Sequence, residues 1–215
     1  MAKRVRQHVN PLKATSLTRR PPLALPAGPA VEAELGCGDA RFLIERARSE
    51  PDRLFVGIDI RELFLADARR SVAELRLDNV QLEVANLIVD ADTLFPAGRV
   101  SRFHINFPDP WFKRRQQNRR WLTAETLAAL VRALRPGGEL HYQSDVWPLL
   151  LEAFALLEGQ PELANVCGEW TFCKTNPFEP ARSQRELDCD ALGRPYWRLL
   201  FRRSADAALP DDDYD

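Results

Sequence analysis

The chain is poor in the residues that build metal sites and covalent staples. Its 215 residues include four cysteines (Cys37, Cys167, Cys173, Cys189), three histidines and one methionine. No two cysteines are spaced as CxxC, and His8, His104 and His141 are scattered. Neither a zinc site nor a disulfide framework is expected from that spacing, and the cysteines read as free, buried thiols of a reducing compartment. No apolar run approaches the ~20 residues that cross a bilayer. The basic N-terminus has no apolar core behind it, so no secretory leader and no membrane association are expected, and the expected location is the cytoplasm. An excess of charge of one sign is also missing, since 30 Lys and Arg face 31 Asp and Glu. That balance excludes a generally basic nucleic-acid coat but allows a local basic patch.

What remains is an ordinary globular balance, 45% hydrophobic and 28% charged. Residues 1–29 read as a basic, Pro-rich tail: Met1 to Arg20 carries no acid, and Pro21, Pro22, Pro26 and Pro29 follow. Residues 205–215 form an acidic tail, and residues 30–204 are the expected domain. Within it, apolar runs alternate with helical spacing. Strands are expected at Val31 to Leu35, Leu54 to Ile58, Val80 to Val84, Val100 to Phe107 and Glu139 to Gln143. Helices are expected at Asp39 to Ser49 (Asp39 as N-cap), Glu62 to Leu75, Thr123 to Leu134 and Val146 to Leu157. Arg135-Pro136-Gly137-Gly138 should end the third of these, and two late strands are expected near Thr171 and from Tyr196 to Arg203. The alternation predicts an α/β, Rossmann-like, doubly wound and mostly parallel sheet, whose ligands bind beyond the strand carboxyl ends.

Three acids and an amide stand at those strand ends. Glu34-Leu35-Gly36-Cys37-Gly38 closes the first strand; Gly36 and Gly38 permit close backbone approach, and the following helix start offers N–H groups. No third glycine completes GxGxxG, which disfavours a dinucleotide, and Glu34 would repel phosphate but suit a cationic ligand. Asp59 ends the second strand and is placed either for ribose hydroxyls or as a helix cap. Asn86, with Asp90 as competitor, is placed for an adenine edge or as a loop cap. Asp109 stands in Asn106-Phe107-Pro108-Asp109-Pro110-Trp111, where two prolines stiffen the backbone and Trp111 offers a stacking face. Lys113, Arg114, Arg115, Arg119 and Arg120 follow within eight positions, a phosphate-binding footprint.

On these motifs, together with Pro136-Gly137-Gly138 before Ser144-Asp145 and Phe178-Glu179 before Gly193-Arg194-Pro195-Tyr196, the chain resembles bacterial tRNA (guanine-N7-)-methyltransferases. The resemblance runs from about Arg4 to Arg203 and implies the class I methyltransferase fold, with one antiparallel strand near the C-terminus. It implies methyl transfer from S-adenosyl-L-methionine to N7 of guanosine 46 in the tRNA variable loop, with no metal. It also implies cofactor contacts at Glu34, Gly36, Gly38, Asp59, Asn86 and Asp109, with Asp109 catalytic. Substrate contacts are implied at Lys113, Asp145, Asn176, Phe178 and Glu179, and tRNA backbone contacts at Arg114, Arg115, Arg119 and Arg120. The chain departs from the family in having Thr175 one place early, so that Thr175 or Asn176 fills the first position of the late motif. Gln116 stands where His is usual and Phe112 where Pro is common. The competing readings are a methyltransferase for another RNA or a small molecule, and an RNA-binding homologue with weakened catalysis. Monomer and homodimer both remain open.

Overall fold

A computed structural model describes residues 11–12, 18–110 and 120–205. The elements, in chain order, are β1 (Val31–Leu35), α1 (Arg41–Ser49), β2 (Leu54–Asp59), α2 (Glu62–Glu74), β3 (Val80–Val84), α3 (Leu87–Asp90) and β4 (Val100–Asn106). They continue with α4 (Ala124–Ala133), β5 (Leu134–Ser144), α5 (Trp147–Glu158), β6 (Leu163–Asn165), α6 (Gln184–Ala191) and β7 (Trp197–Arg203). Among the described residues the strands form one sheet in the order β3-β2-β1-β4-β5-β7-β6. The pairs from β3 to β5 are parallel, and β7 runs antiparallel between β5 and β6. The chain crosses from one half of the sheet to the other between β3 and β4, which leaves a crevice above β1 and β4.

Strand alternation sorts the faces. Val31, Ala33, Leu35, Val56, Ile58, Phe103, Ile105, Leu140 and Tyr142 join the α4 and α5 side chains Leu127, Leu130, Leu150 and Phe154 in the larger core. Against the outer half of the opposite face, Leu43, Ile44 and Ala47 of α1 and Leu65 and Ala68 of α2 pack on Phe55 and Leu82. Gly57 lies in that layer, where a Cβ would come within 2.6 Å of Leu82 Cδ2. The same face at the centre of the sheet is polar yet buried. Cross-strand register aligns Glu32 with Arg102, Arg102 with Glu139, and Glu139 with Arg202, an alternating row over four strands. Glu32 is fully buried and accepts from Arg102 (2.7 Å), Arg46 (3.1 Å), Arg53 (3.2 Å) and His104 Nε2 (3.0 Å). Burial pushes its pKa up, but the His104 hydrogen bond and the neighbouring charges of His104, Arg102 and Arg46 outweigh that and hold it far below the usual range. Burial in turn pulls the pKa of His104 down.

Several expectations are corrected. Helix α1 starts at Arg41, and its N-cap is Ala40 in the left-handed region (φ 55°), so Asp39 is not the cap. The Arg-Pro-Gly-Gly stretch lies within β5, because α4 stops at Ala133 and Leu134 pairs with Val100. Near Thr171 there is only an isolated bridge, Cys173 with Arg198; the second late strand is β6. Cys167 and Cys173 form a disulfide, since the turn through Gly168 (φ 102°) brings their Cα atoms to 5.8 Å. Cys37 and Cys189 are the free, buried thiols. No helix among the described residues is long and apolar enough to cross a membrane.

The Glu32 cluster generates a stability prediction. Replacing Glu32 by Gln leaves three guanidinium groups facing an uncharged amide, and losing one partner of a buried ionic cluster costs about 3–5 kcal/mol. Denaturant unfolding of Glu32→Gln should show a loss of that size; an unchanged midpoint would contradict it.

Candidate active site

The carboxyl ends of β1 to β5 deliver the site. The first turn is pinned to β2, because the amides of Gly36 (2.8 Å) and Cys37 (2.9 Å) both donate to the Ile58 carbonyl. Gly36 (φ 82°) and Gly38 (φ 59°) hold the left-handed conformations this needs. The Gly38 amide donates to Asp59 Oδ2 (2.9 Å), and that of Ala40 to the Cys37 carbonyl (2.8 Å). These N–H groups are therefore committed within the chain and are not offered to an anion. What the turn does present to the crevice is carboxylate.

Glu34 is buried (2% exposed), and its Oε1 accepts from Asn106 Nδ2 at 2.8 Å. Oε2 accepts no well-formed hydrogen bond, although the Leu43 amide helps to hold the charge. Burial drives the carboxyl pKa up to about 8, opposed by the Asn106 bond and aided by the charges of Asp39 and Asp59. A carboxyl in this state gains an electrostatic partner when a cation enters. Asp59 is also buried, and each oxygen accepts twice: Oδ1 from the Arg61 amide (2.8 Å) and Nε (2.9 Å), Oδ2 from Arg61 Nη2 (2.9 Å) and the Gly38 amide. Its acceptor sites are filled, so a ribose hydroxyl can bind only where Arg61 yields.

Asn86 caps α3 with its Oδ1 on the Ile88 amide (3.2 Å), while its Nδ2 donates to the Pro11 carbonyl (2.8 Å). Asp90 accepts from the backbone amides of Asn86 (2.9 Å) and Arg20 (3.0 Å) and serves the chain itself. Beyond β4, the Phe107 amide donates to the Gln143 carbonyl (2.8 Å), and Phe107 takes φ 50°, which turns Pro108 and Asp109 out over the strand ends.

Two cavities meet at that turn. The first, about 130 Å³, is lined by Gly36, Asp59, Arg61, Asn86 and Trp121 among others. The second, about 310 Å³, is lined by Glu34, Asp39, Asn106, Asp145 and Arg185 among others. Gly36, Phe107, Pro108 and exposed Asp109 belong to both. Asp145 is paired with Arg185 Nη2.

The structure thus brings together Glu34, Gly36, Asp59, Asn86, Asp109 and Asp145, while Gly38 supports the first turn from behind through Asp59. Trp111, Lys113, Arg114, Arg115, Gln116 and Arg119 lie outside the described residues. Three expected substrate residues are placed elsewhere. Phe178 is buried in the core against Phe42, His104 and His141 (centroids 6.2, 4.7 and 4.9 Å), under the guanidinium groups of Arg46 and Arg102. It lines neither cavity and packs over the polar face. Asn176 closes the adjoining loop, accepting from the Phe178 amide (2.9 Å) and donating to the Ala181 carbonyl (3.0 Å). Glu179 is exposed and lines neither cavity. Arg120 is ion-paired with Glu152 and donates to the Pro110 carbonyl (3.1 Å), so it ties together the two ends of the 110–120 segment. Arg61, Trp121 and Arg185 line the cavities although their positions in the sequence carry no motif.

The strand order and this site define a class I S-adenosylmethionine-dependent methyltransferase fold. A solved structure titled 16S rRNA methyltransferase KamB superposes with a TM-score of 0.58 at 16% identity, covering 81% of this chain and 88% of its own. Residues 29–199 match a family described as putative methyltransferases. The tRNA (guanine-N(7)-)-methyltransferase of Synechococcus sp. strain JA-3-3Ab is 35% identical over 94% of this chain and 87% of its own length. That of Synechococcus elongatus PCC 7942 is 34% identical, with 93% and 96% covered. The chain belongs to the tRNA (guanine-N7-)-methyltransferase family.

The placement of Phe178 is open to a direct check. Truncating a buried phenylalanine costs about 3–5 kcal/mol. Phe178→Ala should lose stability of that order in chemical denaturation. A fully stable variant with only a raised KM for RNA would instead make Phe178 a substrate contact.

Proposed function

We propose that the protein transfers the methyl group of S-adenosyl-L-methionine to N7 of a guanosine in tRNA, the activity named for its relatives. The observation that carries this reading is Asp109, exposed on the wall shared by the two cavities, within reach of a ligand in either. The donor set fits S-adenosylmethionine: a buried, under-partnered Glu34 for a cationic amine, Asp59 with Arg61 for the ribose, and Ala85, Asn86 and Leu87 around the adenine. When bound, that group supplies an electrophilic methyl on a sulfonium sulfur.

The residues then have little covalent chemistry to do. Guanine N7 carries an in-plane lone pair and no proton, so no general base is needed. With the donor held by Glu34, Asp59 and Asn86, attack by N7 would form the N7–C bond as the S–C bond broke, the bonding pair leaving on sulfur. Alignment of the two reactants is the main requirement, worth up to about 7–11 kcal/mol. Asp109 faces the purine and stabilises the positive charge that grows on its imidazole ring, while accepting from the N1–H and N2–H₂ edge. The guanosine leaves its stack to enter the second cavity, and stacking on an aromatic offsets the cost of a few kcal/mol. Trp121 lines the first cavity and Trp111 lies in the adjoining segment. Lys113, Arg114, Arg115 and Arg119 supply phosphate contacts from that same segment, with Asp145 at the base.

Incubation with labelled S-adenosylmethionine and unmodified tRNA, followed by nucleoside mapping, should place the label on N7-methylguanosine in the variable loop. Label on another base, or cofactor binding without transfer, would favour one of the competing readings. Asp109→Asn should lower the single-turnover rate about 10²–10³-fold, the range seen when one preorganised electrostatic group is lost. A rate equal to the parent enzyme's would remove Asp109 from the chemistry.

A further inference from the structure

The polar face of the sheet carries a further row, two same-face steps beyond the Glu32 ladder and past the His104–His141 pair, in register across β4, β5 and β7: Asn106, Gln143 and Arg198. Asn106 Nδ2 donates to Glu34 Oε1 (2.8 Å), Gln143 Nε2 donates to Asn106 Oδ1 (2.9 Å), and the same Nε2 donates to Glu186 Oε2 (3.3 Å). Glu186, on α6, is fully buried, and its Oε1 accepts from Arg198 Nη2 (2.7 Å) and faces Arg182 Nε (3.3 Å). Glu34, Asn106, Gln143 and Glu186 are each at least nine-tenths buried.

The direction of every bond in it is set at one end. Glu186 is ion-paired with Arg198 and faces Arg182, and a carboxylate oxygen accepts. Gln143 must therefore turn its NH₂ towards Glu186. Because the same nitrogen also meets Asn106, Asn106 must present its carbonyl oxygen to Gln143 and its NH₂ to Glu34. The cost is visible: Gln143 Oε1 is buried without a partner. We propose that Glu186 is a positioning residue for cofactor binding, acting through Gln143 and Asn106 to keep Glu34 facing a donor and ready to receive the cofactor's ammonium. This rests on the reading of Glu34 as the ammonium's partner.

Glu186→Gln reverses the chain. The new amide gives its oxygen to Arg198 and its NH₂ to Gln143. Gln143 then flips, Asn106 flips after it, and an amide oxygen faces Glu34, which favours the protonated form. Around Glu34 stand Asp39 and Cys37 of the first turn, Asp59 with Arg61 at the end of β2, His104 opposite it on β4, and Asp109, Asp145 and Arg185 around the second cavity; none of them is substituted. Gln143→Met removes the relay donor at similar volume and leaves the backbone bond to Phe107 intact.

The test is calorimetric binding of S-adenosylmethionine to the full-length protein across neutral to alkaline pH, with Glu34→Gln as control. Wild-type affinity should rise with pH up to about 8, where Glu34 becomes ionised. Both relay variants should move that midpoint upward by about one unit, which is a tenfold weakening at neutral pH. Their KM for the cofactor should rise, with kcat at saturation within about twofold of the wild type, as for lost uniform binding. Parent-like midpoints in Gln143→Met and in folded Glu186→Gln, with Glu34→Gln impaired, would overturn the relay alone. A Glu34→Gln variant with the parent's affinity and pH profile would overturn the reading of Glu34 itself. Equal weakening at every pH would reduce Glu186 to a structural role.

Discussion

Two glutamates on one strand, two residues apart and facing the same way, are held in opposite states, and the rest of the site follows from that contrast. Glu32 sits among Arg46, Arg53, Arg102 and His104, so its charge is compensated and it anchors β1 to β4 and α1. Glu34, one step nearer the strand end, has a single side-chain donor and two acidic neighbours, and burial pushes its pKa up to about 8. Strand geometry makes the pairing possible: period-two alternation puts both side chains on the polar face, and the parallel register sets Arg102 opposite the first of them. The cations are spent on Glu32. Glu34 is left to be completed by a ligand.

The crevice is built around that shortage. The Gly36 to Ala40 turn directs its amides into the chain, which removes the usual attraction of a helix start for phosphate. Acids gather instead: Glu34, Asp39, Asp109 and Asp145 line the second cavity, with Arg185 as the balancing cation. An acid-lined cleft suits a sulfonium and ammonium donor and a base that becomes cationic as it reacts. Phe178 covers the polar face from the far side, stacked edge-on against His104 and His141, and so keeps water away from the Glu32 cluster. The motif around Phe178 serves the site by closing the fold beneath it.

Much of this was legible in the sequence, for physical reasons that can be stated. The five central strands are short apolar runs between helical segments, and the acids at their carboxyl ends stand out because buried strands seldom finish in Asp or Glu. Glu34 and Asp59 were found that way, Asn86 by its place after β3, and Asp109 by the prolines that bracket it after β4. Helix α6 was missed because its sequence, Gln184–Ala191, reads as a solvated face; its deepest residue is Glu186, whose burial depends on Arg198 of β7. Strand β6 is three residues at a sheet edge, too short to show a period. The Cys167–Cys173 disulfide depends on a glycine turn, and spacing alone does not announce that geometry. Arg120 looked like one more member of a basic run until its pairing with Glu152 and the Pro110 carbonyl was seen. Gln143 gave no signal at all, because its importance lies in register across three strands.

The most direct test of the central contrast is carbon-13 NMR of the glutamate carboxyl groups in the ligand-free protein, with Glu32→Gln and Glu34→Gln used for assignment. Glu34 should titrate with a midpoint of about 8, while Glu32 stays ionised through the whole acidic range the folded protein tolerates. A Glu34 resonance already that of a carboxylate at the ordinary glutamate value, about 4.3, would contradict the account.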